Sequence, residues 1–416
     1  TVRKDIRTIR EFHGDEEEAL ILSIKGYRLI GDEKNLNDLE DRSASLFPNG
    51  IIAQQRTVSE KNPRLKRIYT KFLDIEAEKL SPDLVIGITA DEDANPNEVF
   101  FNLDGFSVDG SGNIYALDKA TFKFSIFSPE GKFLGEFGKT EGMEEYLKNL
   151  SVFDMTESGN IHAVSRTKEG GNYLIFLPDG DVWVSETNEQ FGSRFNLKRH
   201  PSGYWANSLY SVYYPENDIK SEELAQFKTE KGIVEFLEIN PSGEKGIEIK
   251  EKGYIGTHLT DGGTLEGKFQ NFTLYTLNDV KYDFDGDGNI YIAHTTMPRF
   301  RKFNREGNLV FDLEFDFYDF DSKSITSLWS NAYYRMLFGF STVRTTVDGI
   351  SYLIRGLKIY KVSPSGEVLA ILELDVDRTQ SLFSINSNPN RRSYIDPGGK
   401  YLYAQSRDKI YRFKLK

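Results

Sequence analysis

The sequence contains no cysteine, and it has only three Trp, four Met and five His among 416 residues. The absence of cysteine excludes disulfide bonds, thiolate zinc sites and a cysteine nucleophile. Three further signatures are missing: a Gly-x-Ser-x-Gly elbow, a His-Glu-x-x-His helix and a phosphate-cradling glycine loop. The sequence therefore gives little support to the common hydrolase, metalloprotease and nucleotide-binding mechanisms.

Basic residues are fewer than acidic residues, 52 against 64, and the formal net charge is -12. A chain without a general positive field gains little from releasing the counterions of a phosphate backbone. We therefore expect no nucleic-acid partner.

Long apolar runs are also missing. No segment reaches about 18 consecutive apolar residues, the length that spans a bilayer, so we expect no transmembrane segment. The chain begins at Thr1 with no Met and no apolar leader. We expect an extracytoplasmic monomer that is periplasmic, secreted or lipid-anchored after processing, although a chosen chain boundary explains the same start equally well.

Aromatic residues and glycine are abundant: Phe 30, Tyr 22 and Gly 35. This composition favours half-buried strands joined by tight turns. A four-residue turn recurs between short apolar segments, and its copies are Ser128–Gly131, Leu177–Gly180, Asn240–Gly243, Asn304–Gly307 and Ser363–Gly366. Proline or a tolerated substitute at the second position and glycine at the last position predict a hairpin turn in each copy.

A second, glycine-rich hairpin lies upstream of each turn. It reads Val108 to Tyr115 in its clearest copy and returns, more or less degenerate, at Thr156–His162, Asp285–Tyr291, Val347–Ile350 and Asp396–Tyr401. One unit thus reads strand, glycine-rich turn, strand, loop, strand, Pro-Gly turn, strand. Repeated four-stranded meanders predict an all-β fold, a β-propeller of four-stranded antiparallel blades.

The units predict seven blades, with six as the alternative because the first unit is weak. Their starts lie near Ser45, Gly105, Phe153, Phe195, Val280, Val343 and Ser393. In the weak unit, Ile51 to Gln55 and Arg67 to Leu73 would be strands. We expect a single propeller domain over residues 1–416, with insertions at about 14–39, 141–150, 215–229 and 317–340.

The last unit ends after its third strand, Ile410 to Phe413, and so lacks an outer strand. Near the other terminus, Asp5 to Phe12 alternates as the fourth strands do. We therefore expect an N-terminal strand to complete the last blade and close the ring, because closure removes the exposed sheet edges.

These motifs resemble NHL-type and TolB-like propellers, whose blades read Asp-x-x-Gly-Asn-Ile-Tyr, then an apolar strand and a Pro-x-Gly turn. Phe106 to Gly138 matches closely, Val280 to Asp316 nearly as well, and the resemblance extends from Gly105 to the C-terminus. It implies a six- or seven-bladed propeller, a scaffold that hosts binding proteins and unrelated enzymes, so it implies fold rather than activity.

Aligning the units on the hairpin brings one polar column into register at the end of each second strand. Its members are Gln55, Asp118, Ser165, Ser208, His294, Arg355 and Ser406. One hypothesis places this column on the ligand-binding face. The alternative is structural: Asp118 pairs with Lys123 of its own blade and the others are solvated strand ends. His294 is the histidine best placed for a role, whereas His162 replaces a repeat tyrosine and is expected to pack.

Asp283, Asp285, Asp287 and Asn289 alternate through one glycine-rich turn. Alternating carboxylates followed by glycine match the opening of a calcium loop. However, an EF-hand needs a bidentate Glu where this chain has His294, and similar turns in the other units need no metal. Calcium is therefore a hypothesis, and no cofactor is certain.

The absence of catalytic motifs favours a non-enzymatic binding or scaffold propeller that engages a protein, peptide or carbohydrate through one face of the ring. The alternative is a calcium-dependent hydrolase or lactonase that resembles the gluconolactonase and paraoxonase propellers. The column supplies only one carboxylate, Asp118, for such a metal. We therefore predict no catalytic residues.

Overall fold

A computed structural model describes most of the chain. The described residues are 19–20, 23–24, 27, 32–46, 64–70, 73, 75–87, 99–138, 142–156, 159–167, 169–178, 180–191, 197–208, 232–257, 259, 278–295, 298–317, 339–376, 393–406 and 408–415. They belong to two compact units. The N-terminal unit comprises residues 1–68 and 263–266, and the propeller unit comprises residues 69–262 and 267–416. Whether the whole chain forms a single domain stays a prediction.

The N-terminal unit contains helix α1, Glu33–Leu46. Asp32 caps its first turn, because Asp32 Oδ1 accepts the N–H of Asn35 at 3.4 Å. Leu39 and Ser43, four residues apart, are buried on one face. The prediction of a first blade starting near Ser45 was wrong, because Ser45 lies in this helix. Gln55 and the predicted strand Ile51 to Gln55 lie outside the described residues. Strand β1, Leu65–Tyr69, follows.

The propeller unit consists of six four-stranded antiparallel blades. Blade 1 contains β4 to β7: Leu103–Val108, Ile114–Asp118, Lys123–Phe127 and Phe133–Phe137. Blade 2 contains β8 to β11: Leu150–Met155, Ile161–Thr167, Gly170–Phe176 and Val182–Val184. Blade 3 contains β12 to β15: Lys198–Arg199, Trp205–Ser208, Val234–Ser242 and Gly246–Ile255.

Blade 4 contains β16 to β19: Val280–Phe284, Ile290–His294, Arg299–Phe303 and Leu309–Asp316. Blade 5 contains β20 to β23: Thr342–Thr345, Ser351–Arg355, Lys358–Val362 and Val368–Leu374. Blade 6 contains β24 to β26, Ser393–Ile395, Tyr401–Ser406 and Lys409–Lys414, and its outer strand is β3, Leu84–Ile86.

The first strand of each blade is the inner one, and the inner strands follow one another around the ring. Strands β4, β8 and β12 are in contact in that order, as are β16, β20 and β24, and β24 returns to β4. Between blades 3 and 4 the contact runs from β13 to β16. The propeller is therefore confirmed, and the described residues form six blades, the alternative count, rather than the favoured seven.

The five repeated Pro-Gly turns are hairpins, as predicted. Each joins the third strand of a blade to the fourth, and its last glycine has a φ between 60° and 96°. An L-residue with a Cβ rarely adopts this conformation. The turn glycine thus sets the reversal locally, independently of the neighbouring blades.

Apolar faces of adjacent blades pack on each other. Between blades 1 and 2, Phe124 contacts Phe153 and Phe176 edge-on, with ring centroids 5.5 Å apart in both pairs. Between blades 4 and 5, Phe315 meets Tyr360 at 5.6 Å. These buried interfaces hold each sheet against the next one.

The ring is closed by a strand that precedes the first blade. Ile86, Val85 and Leu84 pair antiparallel with Ile410, Tyr411 and Arg412 of the last strand. An N-terminal strand therefore completes blade 6, as predicted, but the segment is Leu84–Ile86. Asp5 to Phe12, which was expected to do this, lies outside the described residues. A further strand, β2 (Ala77–Leu80), adds in parallel to the outer edge of blade 5.

Helix α2, Glu144–Lys148, lies within the predicted insertion at 141–150. A short 3-10 turn occupies Glu189–Phe191. The insertion at 215–229 and nearly all of that at 317–340 lie outside the described residues. Among the described residues, no helix has the length and apolarity needed to cross a membrane.

The closing strand allows a matched test. The side chain of Ile86 is 4% exposed between blades 6 and 1, whereas its neighbour Val85 is 46% exposed on the other face. Ile86→Ala is expected to lower the free energy of unfolding by about 2–4 kcal/mol, because it leaves a cavity in the closing interface. Val85→Ala should change it by less than about 0.5 kcal/mol. Equal effects in denaturant melts would contradict closure by this strand.

Candidate functional site

A cavity of about 800 Å³ lies where the inner strands end and turn into the second strands. All six blades line it. Its position follows from the fold, because six inner strands surround one axis and their glycine-rich turns cluster at the same end. The cavity is the candidate functional site.

The glycine-rich turn has the same two backbone hydrogen bonds in each blade, while the side-chain bonds depend on the residue that begins the turn. In blade 4, Asp285 Oδ1 accepts the N–H groups of Asp287 and Asn289 at 3.1 and 2.9 Å. Asp285 Oδ2 accepts bonds from Asn289 Nδ2 and the Tyr291 hydroxyl. The residue at the position of Asp285, which we call the turn cap, is Asp109, Thr156, His200, Asp285, Thr346 or Asp396, in blades 1 to 6 respectively, and its backbone N–H and C=O groups close the turn in every blade.

Counting back two residues from each turn cap defines a second column, which we call the inner ring. Its members are Ser107, Asp154, Lys198, Asp283, Arg344 and Tyr394, one from each blade, and all six line the cavity. Four consecutive members alternate in charge, from Asp154 to Arg344. The sequence singles out only Asp283 of the inner ring, as a candidate metal ligand, because the predicted column follows the ends of the second strands and the inner ring lies on the first strands.

The charged members of the inner ring bond to neighbouring blades. Lys198 Nζ donates to Asp283 Oδ1 at 2.5 Å, which joins blades 3 and 4. Asp283 Oδ2 also accepts the N–H of Thr345 from blade 5 at 2.9 Å. Asp154 Oδ2 accepts the N–H of Arg199 at 3.0 Å, which joins blades 2 and 3. The ring thus connects four consecutive blades with charge-assisted bonds.

Arg344 extends this connection to blade 6. Its Nε donates to the carbonyl oxygen of Ser393 at 2.9 Å, and its Nη1 donates to the carbonyl oxygen of Val343 at 3.2 Å. Arg344 is almost fully buried. A guanidinium can occupy this position because backbone carbonyls and nearby carboxylates satisfy it.

Burial shifts the protonation of the inner ring. It raises the pKa of Asp154, against the opposing effect of Lys198 and the N–H donors. Burial also lowers the pKa of Lys198, although the Asp283 carboxylate opposes the shift, and lowers the pKa of Arg344. Perturbed titratable groups in a cavity are typical of functional sites, although structural ion pairs produce them as well.

A second cluster lies beside the ring, between blades 2 and 3. His162 Nδ1 and the Tyr173 hydroxyl are 2.8 Å apart, and the rings of His162 and Trp205 lie 5.9 Å apart. Arg199 Nη1 approaches His162 Nε2 at 3.5 Å. Burial and the Arg199 charge lower the pKa of His162 to about 4. His162 therefore packs and hydrogen-bonds in place of the repeat tyrosine, as predicted, and it is neutral near pH 7.

The members of the predicted column whose side chains the structure describes do not line this cavity. Asp118 is paired in register with Leu103, the first residue of its inner strand, so it lies at the far end from the turns. Its carboxylate accepts the N–H groups of Phe101, Asn102 and Ala120. Asp118 thus holds its loop. The expected ion pair with Lys123 was wrong, because Lys123 Nζ bonds to Glu136.

The other described members of the column are also buried or in contact with other residues of the protein. Ser165, Ser208 and His294 are buried, and the Arg355 guanidinium lies 4.2 Å from the centre of the Phe317 ring. Ser406 ends strand β25, but its side chain lies outside the described part of the chain, as does Gln55. A ligand role for this column stays a prediction.

The predicted calcium ligands have other partners in this structure. Asp283 bonds to Lys198, while Asp285 caps its turn and has Lys302 Nζ 3.9 Å away. Within the described residues, no group of three or more His, Asp or Glu side chains is placed to hold a metal ion. The donor set therefore does not fit calcium here, and calcium stays a prediction without support from this geometry.

Comparisons with known proteins identify no family. No family model matches the chain, and no curated protein matches it. The specific resemblance to NHL-type and TolB-like propellers therefore stays a prediction.

Solved structures with some likeness include virginiamycin B lyase from Staphylococcus aureus, with 11% identity, coverage of 80% of this chain and 99% of that one, and a TM-score of 0.41. They also include the calcium-binding protein regucalcin from Agrobacterium tumefaciens, with 10% identity, coverage of 82% and 98%, and a TM-score of 0.39. A gluconolactonase from Xanthomonas campestris has 9% identity, coverage of 76% and 88%, and a TM-score of 0.41. Likeness at this level carries no argument about activity.

The Lys198–Asp283 pair can be tested by a double-mutant cycle. Lys198→Met and Asp283→Asn should each destabilise the protein by about 1–3 kcal/mol, because each leaves a partner without its counter-charge. The double variant should lose about 1–2 kcal/mol less than the sum. The exposed pair Lys250 and Glu248, 3.0 Å apart, is the control, and its coupling should stay below about 0.5 kcal/mol. Additivity at Lys198 and Asp283 would contradict the cross-blade bond.

The lowered pKa of His162 predicts a pH dependence of stability. His162 is neutral in the folded protein down to about pH 4, with Arg199, Tyr173, Trp205 and Asp154 around it. An unfolded histidine takes up a proton below about pH 6.5. The unfolded state therefore binds more protons between these values, and stability falls as the pH falls.

The matched variant is His162→Gln, which does not titrate. The wild type should be more stable than this variant at pH 7, and the difference in their free energies of unfolding should become about 1–2 kcal/mol smaller at pH 4.5. This magnitude is reduced to allow for the partial exposure of His162. The titration of Asp154 is common to both proteins and cancels in the comparison. Parallel curves of unfolding free energy against pH would show that folding does not shift the pKa of His162 and would contradict the prediction.

Proposed function

We propose that this protein is a non-enzymatic binding propeller that receives its ligand in the central cavity, at the end formed by the glycine-rich turns. The observation that carries the proposal is the cavity of about 800 Å³ with lining residues from all six blades. Its volume lies within the range of about 300–1,000 Å³ that is common for ligand sites. The inner ring supplies fixed polar groups within it.

The cavity wall combines polar and apolar surface. Phe153 and Ile395 lie beside the inner ring, and Val347 stands at the mouth with 57% of its surface exposed. Concave sites with apolar walls and a few oriented polar groups are typical of ligand pockets. The cavity therefore suits a small ligand, or the end or side chain of a peptide or carbohydrate, better than a flat protein surface.

The alternative is a hydrolase or lactonase, and one observation favours it. The cavity places Asp154, with a raised pKa, near Lys198, with a lowered pKa, and such pairs serve general acid–base chemistry. A calcium-dependent mechanism would also need converging oxygen ligands, which the described residues do not provide. We derive no step through a metal. An extracytoplasmic location and a monomeric state remain parts of the proposal.

The test screens peptides, oligosaccharides and lactones for binding, with and without calcium, and compares two tryptophan variants of blade 5. Val347→Trp adds bulk at the mouth of the cavity. Leu369→Trp adds bulk at a residue that is 47% exposed on the outer strand. A ligand of the cavity should lose at least about tenfold in affinity in the first variant and keep it in the second.

Two results would count against the proposal. Ligands that bind Val347→Trp as well as the wild type would locate binding elsewhere. Turnover of a lactone that Asp154→Asn abolishes would favour the enzymatic alternative.

A further inference from the structure

Arg199 differs in charge from the residues at the equivalent position of the other blades. It follows the inner-ring residue of blade 3, and in the other blades this position is uncharged. The equivalent residues are Val108, Met155, Phe284, Thr345 and Ile395. The other blades have uncharged side chains at this position. A cation here needs a specific partner to stabilise its charge.

The structure shows little that neutralises Arg199. Arg199 is one of the residues that line the cavity. The guanidinium has one hydrogen-bond contact among the described residues, to His162 Nε2 at 3.5 Å, and no described Asp or Glu forms a salt bridge with it. Lys198, by contrast, is held by Asp283. Arg199 is thus a cavity cation whose donors are largely uncommitted.

The neighbours of Arg199 hold its guanidinium in place. A guanidinium can only donate, so His162 Nε2 must accept, and Nδ1 then carries the proton and donates to the Tyr173 oxygen. Trp205 supports the imidazole ring from the side of blade 3. His162 is therefore a positioning residue for Arg199.

The carboxylates that line the cavity already have partners. Asp283 bonds to Lys198 and to two backbone N–H groups. Asp154 accepts two backbone N–H groups, and Asp285 caps its turn. An incoming ligand therefore meets an available guanidinium rather than an available carboxylate. Guanidinium groups bind carboxylates through two parallel N–H···O bonds.

We propose that Arg199 is the receptor for the carboxylate of a small ligand bound in the central cavity. This inference rests on the proposed function and specifies the ligand. A sugar acid and an acylated amino acid carry the same recognised group. Arg199 binds the carboxylate, and His162 orients the Arg199 guanidinium.

The test titrates two acids, glucuronate and N-acetylphenylalanine, and their neutral counterparts, glucose and N-acetylphenylalaninamide. Binding is followed by calorimetry or by chemical shifts. At least one acid should bind the wild type at least about tenfold more tightly than its neutral counterpart, and Arg199→Ala should weaken that acid about 10- to 100-fold. The acid that binds identifies the ligand source.

Two sets of control variants accompany Arg199→Ala. Arg305→Ala removes an arginine charge from a side chain that is 73% exposed on a blade 4 turn, and it should leave affinity within about twofold. His162→Phe, which lacks the acceptor, should weaken acid binding about 3- to 10-fold. His162→Gln keeps an acceptor and should restore most of it, which a merely structural role for His162 would not predict.

The outcomes separate this inference from the proposed function. Binding that Val347→Trp blocks but Arg199→Ala spares would overturn the carboxylate assignment and keep the cavity as the site. Binding that neither variant affects would overturn both. Failure of both acids to bind the wild type would overturn the carboxylate assignment alone, provided that another ligand binds and is blocked by Val347→Trp.

Discussion

Each blade of this propeller has two apolar faces, and each face is buried only when another blade lies against it. Phe124 of blade 1 is covered by Phe153 and Phe176 of blade 2, and comparable contacts occur at the other interfaces. Because the hydrophobic contribution scales with the area removed from water, stability depends on all interfaces being made. An incomplete ring would expose two faces and an open sheet edge. The strand Leu84–Ile86 precedes blade 1 in the sequence but pairs with the last strand of blade 6. It therefore contributes more to stability than its length of three residues suggests.

The same constraint creates the candidate site. Six inner strands that surround an axis cannot fill the centre at the turn end, so a cavity remains there. Polar side chains that face it are partly desolvated and must find partners. Lys198 donates a hydrogen bond to Asp283 across a blade boundary, and Arg344 donates one to a carbonyl group of blade 6. The inner ring thus serves two purposes, because it joins neighbouring blades and it lines the cavity with oriented charges. Arg199 differs in that the cluster around His162 orients it without neutralising it.

The contrast between the two polar columns shows how much of the site could be predicted. Both columns repeat once per unit, and both can be aligned from the sequence. The column that includes Asp118 is more visible, because it follows the conspicuous Gly-Asn-Ile-Tyr hairpin, yet Asp118 closes a loop at the far end of its blade. The inner ring is less visible, because its members share no residue type: a serine, two aspartates, a lysine, an arginine and a tyrosine. What they share is a position in space beside the cavity. That position depends on the end of the inner strands at which the cavity forms.

The sequence by itself determined the all-β class, the four-stranded unit, most of its turns and, to within about three residues, where each blade from Gly105 onward begins. Those features are local, since a turn glycine such as Gly131 or a turn cap such as Asp109 acts on residues within a few positions of itself. Only the tertiary structure decided that there are six blades, that Leu84–Ile86 closes the ring, and that Asp154, Lys198, Asp283 and Arg344 surround one cavity. Those features depend on partners far apart in the chain, such as Ile86 and Ile410. Side-chain charge and hydropathy do not specify such partners until the backbone has brought them together.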